Sequence, residues 1–513
     1  MANSPPPQGI SLPLTGSALV MAIVVLAMAN FMAVLDLTIV NVAVPHIAGS
    51  LAVSNNEGTW AITSYGIAEA VMVPLTGWLA QRFGPVRVFV TAALGFGVAS
   101  ALCGLAVSLP MLVVFRIFQG VMGGPLMPMS QTLLLRVAPP ERRNIALGLW
   151  TMTTILAPIA GPLVGGVLCD SVGWPWAFYI NVPISLLCAT LAWRMLSRHD
   201  TAPVKSAVDY IGLALLITWV GALQIMLDNG QDDDWFASPF IVSLAVTALI
   251  GFVAFLIWEL TEANPIVDLR VFRHRGFAVS AGAMLLVFGS FMSSIVLVPL
   301  WLQSNMGYTA TWAGNAMAFN GVLGVVMAPV AALLISRVDP RILLSGGLVV
   351  VAADTLYRTT FNQDMGFSDL IPAQLALGIG MPFFFVPMMS MSMASVKPEE
   401  TASAAGLINF LRTLSGAFAT AIVTSTWQDA ARSTRSTLAG RLNGTGAVLE
   451  KLHDIGLSGQ QALNRLDAMV DSQSVMLATN HVFFAVGAIV LFTALAVWLM
   501  PKPTGPVSMA VGH

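Results

Sequence analysis

Long apolar runs separated by short polar segments recur along the whole chain. Spanning a bilayer takes about 20 apolar residues per helix. Runs of that scale begin with Ser17–Val44, Thr59–Leu79, Val88–Leu105, Met111–Leu134, Ala146–Leu168, Trp176–Trp193 and Tyr210–Met226. They continue with Pro239–Trp258, Phe277–Leu302, Trp312–Leu334, Ile342–Leu356, Leu370–Met393, Ala404–Trp427 and Phe483–Leu499. The pattern predicts an all-α polytopic membrane protein of about fourteen helices.

Composition agrees: 57% of the residues are hydrophobic, 9% are charged and the mean hydropathy is +0.81. The solvent for most of the chain is lipid. The segment before Ser17 has no Lys or Arg and the first run exceeds a signal-peptide core, so it reads as an uncleaved first helix. Cys103, Cys169 and Cys188 have spacings that fit neither a metal site nor a disulfide framework. No basic cluster with interleaved aromatics points to nucleic acid. The chain has no G-x-x-x-x-G-K-[ST] loop for ATP, so the energy comes from an ion gradient or from the substrate itself. His199-Asp200 and His453-Asp454 lie in loops without convergent ligands, which argues against an enzyme.

An even helix count puts both termini on one side. Most of the 23 Lys and Arg residues fall on that side, which predicts cytoplasmic termini. Pro140-Glu141 through Gly148-Leu149 has the spacing of Pro398-Glu399 through Gly406-Leu407, an offset of 258, and Gly120 matches Gly378 at the same offset. Pro74, Arg82 and Pro85 match Pro329, Arg337 and Pro340 at an offset of 255. Two parallel six-helix repeats follow. The expected organisation is a cytoplasmic tail at 1–16, a first half at 17–200, two extra helices with linkers at 201–270, and a second half at 271–500. The second half carries a long loop at 428–480, and residues 501–513 form a second cytoplasmic tail.

An ionisable residue inside a span marks function by default. Asp36, Glu69 and Arg116 all lie roughly 10–15 Å from the outer face at the helical rise, so the first, second and fourth helices can bring them together. Burial penalises a charged Asp36 and a nearby Arg116 favours it, so relative movement would make Asp36 a proton carrier. A static ion pair is the alternative. Glu69 is either a substrate or proton site or an acid in a wet cleft. Arg412 sits mid-span in the second half, where it either balances an anionic substrate or binds backbone carbonyls at a helix break. Asn41, Gln119 and Asn409 join it as candidate cavity residues. Asp354 and Arg358, four apart, read as a local pair. Pro158, Gly161, Pro162, Gly165 and Gly166 concentrate helix-loosening and close-packing residues in the fifth helix.

Together these elements resemble the fourteen-helix drug:proton antiporter branch of the major facilitator superfamily, and EmrB-type multidrug exporters in particular. Leu35 through Pro45 is similar to that branch's first-helix signature. Gly77 through Arg87, with Gly77, Arg82, Gly84 and Arg87, is similar to the superfamily's gating loop between helices 2 and 3, but Gln81 stands where the superfamily usually has Asp. Arg116, Gln119, Gly120 and Gly124 match the motif associated with proton transfer, and Gly161-Pro162 with Gly165-Gly166 matches the antiporter motif.

The resemblance implies a major facilitator fold with two six-helix pseudo-repeats plus two central helices. It implies proton-driven export of hydrophobic small molecules across a bacterial inner membrane, with no cofactor beyond the proton gradient. It also implies partners: membrane lipid, an EmrA-type periplasmic adaptor (a membrane fusion protein) and an outer-membrane channel. The 428–480 loop either meets that adaptor or folds onto its own transporter. The competing reading is a proton-coupled symporter or facilitator of a hydrophobic metabolite or nutrient, against which the antiporter motif speaks.

Overall fold

The computed structural model describes residues 13–201, 208–335, 337–441, 445–454 and 456–499. The tails expected at 1–16 and 501–513 lie outside these residues, apart from 13–16. The apolar runs become helices: α1 (Gly16–Leu51), α2 (Trp60–Met72), α3 (Thr76–Phe83), α4 (Pro85–Gly104), α5 (Leu109–Gly123), α6 (Leu126–Val137), α7 (Arg143–Ser171) and α8 (Asn181–Leu196). After them come α9 (Tyr210–Asn229), α10 (Pro239–Thr261), α11 (Arg275–Ser304), α12 (Ala310–Leu334), α13 (Pro340–Tyr357), α14 (Phe367–Ala394), α15 (Thr401–Arg441) and α16 (Gly459–Ala496).

Among the described residues, 12 helices are long and apolar enough to cross a membrane, or 13 if the bent pair Pro140–Pro158 and Ala160–Ser171, meeting at 44°, is one span. The expected count of fourteen is therefore not reached by length and composition. The missing run, Thr59–Leu79, is split into α2 and α3 by a turn around Pro74. Proline removes a helical hydrogen bond and clashes with the preceding turn, which accounts for the break. Within 428–480, α15 runs on to Arg441, Thr445–Asp454 is helical, and α16 begins at Gly459. Arg435 ties this hairpin together through Asp467 at 2.6 Å and Asp471 at 3.5 Å.

Contacts made at one place recur at the repeat offset. A Cβ on Gly148 of α7 would stand 3.2 Å from the Ala328 carbonyl oxygen of α12, and one on Gly406 of α15 would stand 2.9 Å from the Val73 carbonyl oxygen. These are the same pairing, once in each sense. Gln131 of α6 donates from Nε2 to the Met389 sulfur of α14 at 3.1 Å, and these two residues are themselves 258 apart. Residues related by a two-fold axis touch only where the axis passes, so it runs between α6 and α14 here.

The two extra helices lie outside this pair of repeats. Trp219 of α9 packs edge-on against Phe410 of α15 at 5.8 Å and Phe252 of α10 at 5.0 Å. On α10 only 22% of the spanning window is buried, as expected of a helix facing lipid.

Candidate functional site

Small residues create the site. On α5, a Cβ at Gly120 would stand 2.5 Å from the Tyr65 carbonyl oxygen and one at Gly124 2.7 Å from the Met72 Cβ, so only glycine lets α5 approach α2 this closely. That approach places the Arg116 guanidinium 4.2 Å from the Tyr65 ring centre and lets its Nε donate to the Ala61 carbonyl at 2.7 Å.

Arg116 Nη1 also donates to Asp36 Oδ2 on α1 at 2.7 Å. The other oxygen, Asp36 Oδ1, accepts from Gln119 Nε2 at 3.0 Å and from Asn181 Nδ2 of α8 at 2.7 Å. Ser100 of α4 takes further bonds from Gln119 at 3.2 Å and Asn181 at 3.1 Å, and donates to the Phe178 carbonyl at 2.8 Å. Asp36, Ser100, Arg116, Gln119 and Asn181 are all 0% exposed. A buried acid whose counter-charge stands on another helix can exchange that partner for a proton when the helices shift.

Glu69 is not part of this network. It is buried on α2. Arg412 lies over the Phe288 ring at 5.5 Å and donates to the Met127 sulfur. One turn away, Asn409 Nδ2 donates to Gln131 Oε1 at 3.1 Å and to the Ala405 carbonyl at 2.8 Å. Polar groups of α15 therefore meet α6 across the repeat boundary. Asn41, expected among the cavity residues, is exposed.

In α7, a Cβ at Gly161 would stand 2.6 Å from the Thr38 Cβ and one at Gly165 2.9 Å from the Ile39 Cγ1, so these two glycines seat α7 on α1. Gly166 has nothing within 4 Å of that point. Pro158 and Pro162 lie inside α7 without ending it. In the segment Gly77–Arg87, Gly77 is pressed against α15, Arg82 lies 5.2 Å over the Trp78 ring, and Gly84 adopts a φ of 90°, which favours glycine. The residue facing this loop is Asp200. Its Oδ1 accepts from the Val86 backbone N at 3.1 Å and its Oδ2 lies 3.5 Å from Arg87 Nε.

Sequence reasoning missed Ser100, Asn181, Gln131 and Asp200. A polar side chain inside an apolar run was the available signal for the first three. Asp200 gave none, because it meets the loop from the far end of α8.

The profile of the Major Facilitator Superfamily matches residues 26–420. The chain belongs to the major facilitator superfamily. It is similar to the fatty acid resistance protein FarB of Neisseria gonorrhoeae, 41% identical over 96% of this chain and 98% of that one. It is also similar to the multidrug export protein EmrB of Escherichia coli (strain K12), 39% identical over 96% and 97% of the two chains. Among solved structures, the proton:xylose symporter XylE aligns with a TM-score of 0.61 at 14% identity, covering 95% of this chain and 96% of that one. The human organic anion transporter MFSD10 aligns with a TM-score of 0.58 at 12% identity, covering 94% and 100%. At those identities the likeness is one of fold. This superfamily member is a multi-pass membrane transporter and not an enzyme.

Proposed function

We propose that this transporter exports hydrophobic small molecules in exchange for protons. The observation that carries the reading is the Asp36–Arg116 pair, 2.7 Å apart and fully buried where α1 and α5 meet. The export activities named for EmrB and FarB support it. Asp36 carries the proton and Arg116 is its alternating partner, with Gln119 and Asn181 holding the carboxylate in position. Glu69, Asn409 and Arg412 line the substrate path.

The halves at 17–200 and 271–500 rock about the axis between α6 and α14, giving alternating access with no cofactor other than the proton gradient. The chain sits in a bacterial inner membrane with both termini cytoplasmic. The Gly77–Ser403 and Gly148–Ala332 seams then close the cytoplasmic end. The α15–α16 hairpin meets a periplasmic adaptor that leads to an outer-membrane channel.

The test is substrate-triggered proton movement in proteoliposomes, with a panel of hydrophobic acids and cations, comparing wild type with Asp36→Asn. Proton release that follows certain compounds and vanishes in the variant is the expected result. Substrate movement without a proton signal refutes the exchange. For the adaptor, removing Arg432 to Met469 is expected to spare transport in vesicles and abolish resistance in cells. Equal effects in both settings refute that partner.

A further inference from the structure

The seat of α5 on α2 has a copy in the second half. Gly120 presses on the Tyr65 carbonyl, where a Cβ would stand at 2.5 Å, and Gly378 of α14 presses on the Asn320 carbonyl of α12, where a Cβ would stand at 2.6 Å. Gly378 follows Gly120 by 258 positions and Asn320 follows Tyr65 by 255, the two spacings at which the sequence repeats.

In the first copy, Arg116 lies one turn before Gly120 and so on the same helix face, with its guanidinium over the Tyr65 ring. In the second copy Gln374 occupies the Arg116 position and Asn320 the Tyr65 position. Both amides are 1% exposed. Neither amide atom of Asn320 has a hydrogen-bond partner, and Gln374 Oε1 has none. Among the described residues, Asn320 is the one side-chain amide whose oxygen and nitrogen are both buried without a partner.

Buried polar atoms are almost always satisfied, because leaving them bare forfeits their hydration. Two such amides on neighbouring helices, one turn apart across the same close seat, therefore mark a place that takes a hydrogen-bonding guest. The guest's chemistry follows from the lining. A glutamine replaces the arginine of the first copy, and the buried Asp354 of α13 and Arg358 just past its end pair with each other at 2.9 Å. The surroundings are apolar: Ile155 Cγ2 would stand 3.0 Å from a Cβ on Gly324, one turn along α12 from Asn320.

We propose that Asn320 and Gln374 form an uncharged polar subsite for the head group of the cargo. The head is an amide, an alcohol or a protonated acid on a hydrophobic body, held by one donor and one acceptor. This rests on the exporter reading only in taking the cargo to be hydrophobic.

The experiment measures binding of dodecanamide and of dodecyltrimethylammonium, which offers no donor, to the detergent-solubilised full chain. Wild type is compared with Asn320→Leu, Asn320→Ser and Gln374→Leu. Dodecanamide affinity is expected to fall about tenfold in the leucine variants, the size of one neutral hydrogen bond, and less in Asn320→Ser. Dodecyltrimethylammonium affinity stays unchanged. The ligand-free Tm of Asn320→Leu is expected to rise, since two bare polar atoms are removed.

A parallel fall for both probes, no fall for dodecanamide, or a lower ligand-free Tm each overturns the subsite. Proton exchange is recorded for the same preparations in vesicles. Its absence in wild type refutes the exporter reading and leaves the binding comparison intact.

Discussion

Gly161 and Gly166 belong to one short stretch of α7, but only Gly161 is pressed against a neighbour. A methyl at Gly161 would stand 2.1 Å from Thr38 Oγ1, 2.6 Å from Thr38 Cβ and 3.1 Å from its carbonyl carbon. The hydroxyl can rotate away, but the other two atoms move only with α1. At Gly166 a methyl meets nothing within 4 Å. Alanine is favoured over glycine inside a helix by roughly 0.5–1 kcal/mol at either position. Overpacking costs about 1–3 kcal/mol and applies to Gly161 alone. The propensity gain cancels between the two variants, so Gly161→Ala should be about 1–3 kcal/mol less stable than Gly166→Ala. Asp36 stands two residues before Thr38 on α1, so the same displacement disturbs its pairing with Arg116. Proton-coupled transport should therefore fall in Gly161→Ala and persist in Gly166→Ala. Denaturant unfolding in detergent gives the stability difference, and vesicle assays give the rates. Equal stability changes in the two variants, or equal transport, would refute the reasoning.

Asp36→Asn strips the counter-charge from a fully buried Arg116, and its cost by unfolding is expected at about 3–5 kcal/mol. Adding Arg116→Met should restore most of the stability while proton exchange stays lost. Asp354→Asn should cost a similar amount but leave proton coupling intact, because Asp354 and Arg358 sit four apart near one helix end and move together. Proton-to-substrate ratios measured before and after that substitution check this. Asp200→Asn should weaken the hold on the segment Gly77–Arg87 by about 1.5–3 kcal/mol, the worth of a hydrogen bond to a charged group. Faster cysteine labelling at position 81 is the readout, and unchanged labelling counts against that role.

The membrane character was legible because lipid demands long apolar runs whatever the packing. The repeat was legible too, since glycine and proline punctuation survives where other side chains diverge. Asp36 and Arg116 stood out because charge inside a span is costly. The partners of that pair were harder to read. Ser100, Gln119 and Asn181 act through side-chain directions set by helix rotation, which periodicity alone does not specify. Glu69 was expected near Arg116 from equal depth, and it is buried on α2 without a hydrogen bond to the Asp36 network. The boundaries of α15 and α16 within 428–480 were not fixed by pattern because their outer turns are polar and fall below any apolar threshold.

At Gln131 and Met389 the chain meets its own copy. A protein with two identical halves would have to set like against like there, two glutamines or two methionines, and any substitution would be made twice at once. In the fused chain each side changes alone. Here one side kept an amide that reaches across to Asn409, and the other offers a soft sulfur that makes no rival demand. The symmetry that doubles the helices is thus relaxed at its own axis, where a single gene can tune the centre of the pathway one residue at a time.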